Sequence, residues 1–145
     1  MSKKALKDLP LQEVTLRKYE SPQGMTKEEL AKKFLLSVGL LQPGESRDVI
    51  VPIFLSLLDA KKDKTCLSIP DLIKQLEEKP GASAPNIRRQ LRRLKELKLV
   101  EKSTQGYRIT EFGKIQPVIN DYVIQFLVNP AADRIRQYAE HLDNL

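Results

Sequence analysis

Residues 86–98 read Asn-Ile-Arg-Arg-Gln-Leu-Arg-Arg-Leu-Lys-Glu-Leu-Lys and hold four Arg and two Lys against the single acid Glu96, a net of +5. Ile87, Leu91 and Leu94 recur at i, i+4 and i+7, the spacing that aligns side chains along one side of an α-helix. On that wheel Arg89, Arg92 and Arg93 fall on the opposite side, with Arg88 and Lys95 flanking. A helix with a greasy stripe and a clustered guanidinium face suits the DNA major groove. Phosphates attract the charge, and a guanine edge accepts two hydrogen bonds from one Arg. A charged helix face that is merely solvated is the competing reading, so the surroundings decide.

The chain is 145 residues long, with 41% hydrophobic and 30% charged residues, the composition of an ordinary globular protein with a real core. Lys and Arg exceed Asp and Glu by 25 to 19, and the excess is localised. Residues 1–64 carry +3, residues 65–110 carry +5 and residues 111–145 carry −2. A local basic excess favours an acidic partner. Cys66 is the only cysteine, which excludes an intramolecular disulfide and fits a reducing compartment. No apolar run follows the basic stretch Met1–Lys7, and Val49–Leu58, interrupted by Pro52 and Ser56, is far too short to span a bilayer. A cytoplasmic protein with no membrane partner is expected.

The elements that must position the Arg-rich segment are legible in the punctuation. Residues 1–25, Lys-rich with Pro10, Pro22 and Gly24, read as a basic mobile arm with a short helix near Leu11–Tyr19. Thr26 and Glu29 have capping-box spacing and open a helix to about Val38, with Leu30, Phe34 and Val38 on one face. After the Pro43-Gly44 turn, Ser46 or Asp48 caps a second helix running to about Ala60. Thr65-Cys66-Leu67 is β-prone. Ser68, with Pro70 in the first turn and Asp71 three residues on, opens a helix with a stripe at Ile69, Leu72, Ile73 and Leu76. Ser83 and Pro85 open the Arg-rich helix in the same way. Leu99–Lys102 and Tyr107–Thr110, separated by a Gly-containing connection, form a hairpin. Phe112–Val128 and Ala131–Leu145 are helical, with Asn129-Pro130 as the break between them.

Residues 47–110 thus run helix, short strand, helix, turn, Arg-rich helix, hairpin. This order resembles the winged-helix family. The likeness is carried by Leu67-Ser-Ile-Pro-Asp-Leu-Ile, by Pro85-Asn-Ile-Arg-Arg-Gln-Leu-Arg-Arg-Leu-Lys-Glu-Leu, and by Leu97-Lys-Leu-Val-Glu-Lys, which is similar to a Leu-Gly-Leu-Val entry to the wing. Tyr107-Arg-Ile-Thr-Glu-Phe-Gly113 resembles a Tyr-x-Leu-Thr-x-x-Gly exit. Somewhat less than half of the chain is covered, in a register similar to small archaeal and bacterial transcriptional regulators. Two departures stand out. Lys98 occupies the position of the Gly that would end the helix, and the tip Ser103–Gly106 has no Arg or Lys.

The resemblance implies a mainly α fold with a small β-hairpin wing, a winged helix-turn-helix with extra N- and C-terminal helices. Its parts are the arm 1–25, a domain at 26–110 and C-terminal helices at 111–145. The broad apolar face Ile115–Leu127 needs a partner, and homodimerisation is the expectation for it, the alternative being that this helix packs on the helix at Leu30–Val38 within one chain. The implied function is sequence-specific binding of double-stranded DNA by a nucleoid-associated transcriptional regulator, with helix 85–97 in the major groove. Arg89 and Arg93 are the expected base readers, with Arg92 joining them or reaching phosphate, and Asn86 either pairs with adenine or serves the helix start. Arg88, Lys95, Lys102 and Arg108 are expected on phosphates. A protein-interaction module using the same Arg face, without DNA, is the alternative. RNA binding is weakened by the lack of stacking aromatics on an exposed sheet.

Enzymatic chemistry finds no foothold. His141 is the only histidine and lies near the C-terminal end, and no Cys/His cluster has zinc spacing. No Gly-rich loop cradles phosphate, and no serine sits in a nucleophile elbow. No cofactor and no small-molecule ligand are expected.

Overall fold

The computed structural model describes residues 8–45 and 49–145. The expected caps Ser46 and Asp48, and the basic stretch at residues 1–7, lie outside the described residues. The chain is mainly helical, with one small two-stranded antiparallel sheet. Four helices come first: α1 at Lys27–Ser37, α2 at Ile50–Lys62, α3 at Ile69–Leu76 and α4 at Ala84–Glu96. Strands β1 (Val100–Ser103) and β2 (Gly106–Ile109) follow. After a 3₁₀ turn at Thr110–Phe112 comes a long C-terminal helix made of α5 (Ile115–Val118), a π-helical stretch (Ile119–Val128) and α6 (Asn129–Asp143).

Helix α2 is the centre of the packing. Its apolar face is wide because Ile50, Val51, Ile53, Phe54 and Leu57 are all buried, and it touches α1, α3, α4 and β2. Phe54 stacks on Phe34 of α1 with ring centroids 5.7 Å apart. The buried side of α1 is Ala31 and Leu35 with Leu36, while Leu30, expected on the inner face, is exposed. Seating Phe34 on Phe54 rotates α1 so that Ala31 and Leu35 point inward beside it.

Helix α3 is started by the sequence as expected. The Ser68 hydroxyl accepts from Asp71 N at 3.2 Å, and the Asp71 carboxylate accepts from Ser68 N at 2.9 Å. This capping box satisfies two backbone donors that would otherwise be orphaned. The backbone N–H of Ser68 holds the Asp71 carboxyl below the usual aspartate range, with the Ser68 hydroxyl adding to the effect. Leu72 and Leu76 then enter the core.

Strands β1 and β2 pair from Val100↔Ile109 to Ser103↔Gly106. The β-prone residue Leu67 pairs with Tyr107 across two short hydrogen bonds, N–H to carbonyl in each direction, at 2.9 and 2.8 Å. Gly106 makes this closeness possible. A Cβ there would lie 2.7 Å from the Leu67 carbonyl oxygen, so any other residue would push the Leu67 strand away.

Three findings differ from the sequence-based expectations. First, residues 11–19 form no helix. The segment is extended along α1, with Arg17 N bonded to the Ser37 carbonyl at 2.9 Å. The Arg17 guanidinium donates to the carbonyls of Leu36 and Leu41 at 2.8 and 3.3 Å, so it caps the carbonyl end of α1 with a positive charge. Second, the Asn129-Pro130 pair does not interrupt the C-terminal helix, since Val128 and Asn129 both keep helical dihedrals. Pro130 has no N–H for the carbonyl four residues earlier, that of Phe126, and this carbonyl accepts instead from Gln12 Nε2 at 2.8 Å. Third, the face expected for dimerisation is largely used within the chain. Ile115, Val118 and Ile119 pack on the core, Val123 is buried, and of the residues at 115–127 assigned to that face only Phe126 is exposed.

Lys98 solves the missing-glycine problem by adopting the left-handed conformation itself, with φ of 63°. Its N–H bonds to the Lys95 carbonyl, and Leu99 N–H reaches back to the Leu94 carbonyl at 3.2 Å, the paired pattern that closes a helix end. Leu94 and Leu99 are both fully buried. A Cβ in this conformation costs about 1–2 kcal/mol, so Lys98→Gly raises unfolding stability by about 1 kcal/mol. Urea denaturation of the two proteins checks this. A depressed Asp71 pKa contributes stability that is present at neutral pH and lost as the pH falls through the native-state value. Asp71→Asn therefore destabilises the protein at pH 7, and the gap between the two thermal midpoints narrows as the pH is lowered below the ordinary aspartate range.

Candidate nucleic-acid interface

The Arg-rich helix α4 is anchored before it is charged. The Ser83 hydroxyl accepts from Asn86 N at 3.3 Å, and Pro85 sits in the first turn, where its missing N–H costs nothing. Ile87, Leu91 and Leu94 are fully buried against α2, α3 and the hairpin. With that side fixed at three successive points, the opposite side cannot turn inward.

Arg88, Arg89, Arg92 and Lys95 are exposed. Advancing about 100° per residue from the buried stripe puts Arg89 and Arg92 at the centre of the outer face. Arg88 and Lys95 lie along one flank and Arg93 along the other. Among the described residues no carboxylate lies within ion-pair distance of any of these five cations. Glu96 is exposed on the same face, one turn beyond Arg92. The outer face carries an excess of cations over the single carboxylate of Glu96, with which none of them forms an ion pair.

Two of the expected contact residues on α4 are occupied differently. Asn86 is half-buried, and its amide nitrogen donates to the Gly81 carbonyl at 2.7 Å. Its amide oxygen accepts from Gln90 Nε2 at 3.2 Å, and Gln90 Oε1 in turn accepts from Arg93 Nη1 at 2.9 Å. Asn86 therefore holds the turn between α3 and α4 to the helix rather than standing free for a base. Arg93 is half-buried and drawn toward this relay, so the central position expected for it belongs to Arg92.

Gln90 is the hub, and sequence reasoning missed it. It is 4% exposed and is the one buried polar side chain among the described residues. The signal available was its place on the wheel beside Ile87 and Leu94, where an apolar residue would be expected.

The hairpin carries the remaining two candidates. Lys102 is exposed, its ammonium 5.7 Å from the Tyr107 ring centre. Arg108 is bound within the protein: its Nε donates to Glu101 Oε2 at 2.6 Å, and its guanidinium lies 4.8 Å from the Phe112 ring centre. The same Glu101 oxygen accepts from Glu111 N at 3.2 Å. Glu111 and Phe112 both take left-handed dihedrals, so this clasp holds the two strained residues that turn the chain out of the hairpin. Arg108 is therefore half-buried and committed to the clasp.

No group of three or more His, Cys, Asp or Glu side chains among the described residues could hold a metal ion, and no described helix is long and apolar enough to cross a membrane. Comparison of the chain with models of known families, with characterised proteins and with solved structures finds no match.

Gln90→Leu keeps the volume but strands the Asn86 amide oxygen and frees Arg93. It costs about 1–2 kcal/mol of stability in denaturant unfolding, the penalty for a poorly exposed polar group left without its partner. A loss under 0.5 kcal/mol would mean that water replaces the relay at no cost.

Proposed function

We propose that the protein binds double-stranded DNA in a sequence-dependent manner, with α4 in the major groove and the hairpin as the wing of a winged helix-turn-helix. In this reading it acts as a transcriptional regulator at the nucleoid. The observation that carries the proposal is the outer face of α4, where Arg88, Arg89, Arg92 and Lys95 stand without acidic partners on a helix fixed by Ile87, Leu91 and Leu94. A fixed rod keeps guanidinium groups at set heights along the groove, as direct base readout requires.

The roles follow from position. Arg89 and Arg92 reach base edges from the centre of the face. Arg88 and Lys95 on its flank, with Lys102 on the hairpin, neutralise phosphates and set the register. Arg93 supports the edge of the face through Gln90, Asn86 positions the helix, and Arg108 shapes the wing. A second reading has its own support. Arg108 is committed to Glu101, and the tip Ser103–Gly106 has no cation, which leaves the wing with little charge for the minor groove. In that reading α4 docks on an acidic protein surface.

Fluorescence anisotropy with genomic DNA fragments at two salt concentrations separates the readings. DNA binding predicts a steep salt slope with retained preference among fragments. Arg89→Ala or Arg92→Ala then costs roughly 1–3 kcal/mol on the preferred fragment, whereas Lys102→Ala weakens all fragments alike and lowers the salt slope by about one. Equal binding by the Arg89→Ala, Arg92→Ala double variant would sink the assignment. Absence of any retention at low salt would leave the protein-docking reading.

A further inference from the structure

Two ridges run side by side along α4. Ile87, Leu91 and Leu94 form the buried one, and Asn86, Gln90 and Arg93 repeat the same i, i+4, i+7 spacing one residue earlier. The second ridge is polar throughout, and its hydrogen bonds have one direction. A guanidinium only donates, and a backbone carbonyl only accepts. Arg93 Nη1 at one end must therefore meet the Gln90 oxygen, at 2.9 Å. This turns the Gln90 nitrogen toward the Asn86 oxygen at 3.2 Å, and the Asn86 nitrogen toward the Gly81 carbonyl at 2.7 Å. Neither amide can flip without setting donor against donor or acceptor against acceptor. Bonds aligned in this way polarise and reinforce one another in a buried setting.

The relay takes up one edge of the Arg93 guanidinium and leaves the rest unused. The group carries five N–H donors, of which one goes to Gln90. Among the described residues no carboxylate lies within ion-pair distance of it. Its neighbours Arg88, Arg89 and Arg92 stand exposed, whereas Arg93 is half-buried and tethered. A planar fork held at one edge keeps its remaining donors at a set angle to the helix. Such a fork suits an oxyanion with two equivalent oxygens, which accept parallel N–H bonds. The phosphodiester of a nucleic-acid backbone is that kind of group.

Position on the helix selects which phosphate. Arg93 lies on the flank opposite Arg88 and Lys95, and a helix seated in a groove has one strand along each flank. The geometry points to Arg93 as a preset phosphate clamp on the strand that Arg88 and Lys95 do not meet, with Gln90 as the residue that positions it. Gln90 itself touches no phosphate and acts through Arg93. The inference rests on the DNA reading of α4 and adds the second wall of the groove to it.

Two measurements on the full chain test this. In the free protein, NMR spectra show hindered rotation of the Arg93 guanidinium, with separate signals for its two Nη groups. Gln90→Met, which keeps the side-chain length but removes both polar atoms, merges them. An averaged Arg93 signal in the wild type overturns the inference whatever the chain binds. Fluorescence anisotropy with duplex DNA, at temperatures where every variant is folded, then reads the clamp in use. Arg93→Ala weakens all fragments alike and lowers the salt slope by about one, as loss of one phosphate contact requires. Gln90→Met keeps the charge and therefore the slope, yet weakens binding roughly three- to tenfold because the fork is no longer preset. In the Arg93→Ala background the same Gln90→Met change has no further effect. Equal losses in both backgrounds, or a changed preference among fragments in Arg93→Ala, overturn the inference and leave DNA binding in place. A wild-type chain that retains no fragment at low salt ends the DNA reading and the clamp with it.

Discussion

Burial of one side of α4 is the constraint from which the rest follows. Ile87, Leu91 and Leu94 are fully excluded from water, and each fully buried aliphatic side chain of this size contributes about 1.5–3 kcal/mol relative to exposure. Together they outweigh the cost of gathering four guanidinium groups on the other side, where water screens their mutual repulsion. The cationic face is a consequence of this balance: hydrophobic anchoring fixes the azimuth of the helix, and the sequence then decides what that azimuth exposes. The same stripe sets the exit of the chain. Leu94 packs where Leu99 must turn back, and a lysine is held in a left-handed conformation to let it do so.

Polar interactions refine this arrangement where packing alone would leave play. The relay from Gly81 through Asn86 and Gln90 to Arg93 crosses from the turn before α4 to the third turn of the helix. It couples the angle between α3 and α4 to the posture of one edge of the cationic face. Glu101 does similar work beyond the hairpin, serving Arg108 and the N–H of Glu111 with one oxygen. Both devices sit beside residues with unusual burial or unusual backbone angles, where a hydrogen bond left unmade is most expensive.

Much of this was legible in the sequence because it rests on local rules. Ser68 with Asp71, Ser83 with Pro85, the stripe at 87, 91 and 94 and the Gly-containing hairpin are short-range signals, and each produced the element it foretold. What the sequence did not show shares a cause as well. The surroundings of Leu30, Asn86, Arg93 and Arg108 are set by tertiary packing or by side-chain geometry, and a helical wheel does not contain them. Pro130 misled because a proline normally ends a helix, whereas here a glutamine more than a hundred residues away supplies the hydrogen bond that the proline cannot. The path of residues 8–25 was equally hidden, since its hold on α1 comes from Arg17 at the carbonyl end and from Tyr19 and Glu20 on Lys33, residues that read, in isolation, as ordinary surface side chains.

That glutamine has an architectural consequence. Gln12 belongs to the segment that runs ahead of α1 and Phe126 to the long C-terminal helix, so two parts of the chain more than a hundred residues apart are stitched together just before α6. The leading segment thereby braces the long helix at the turn where Pro130 leaves a carbonyl without its intrahelical donor, a splint supplied from outside the helix.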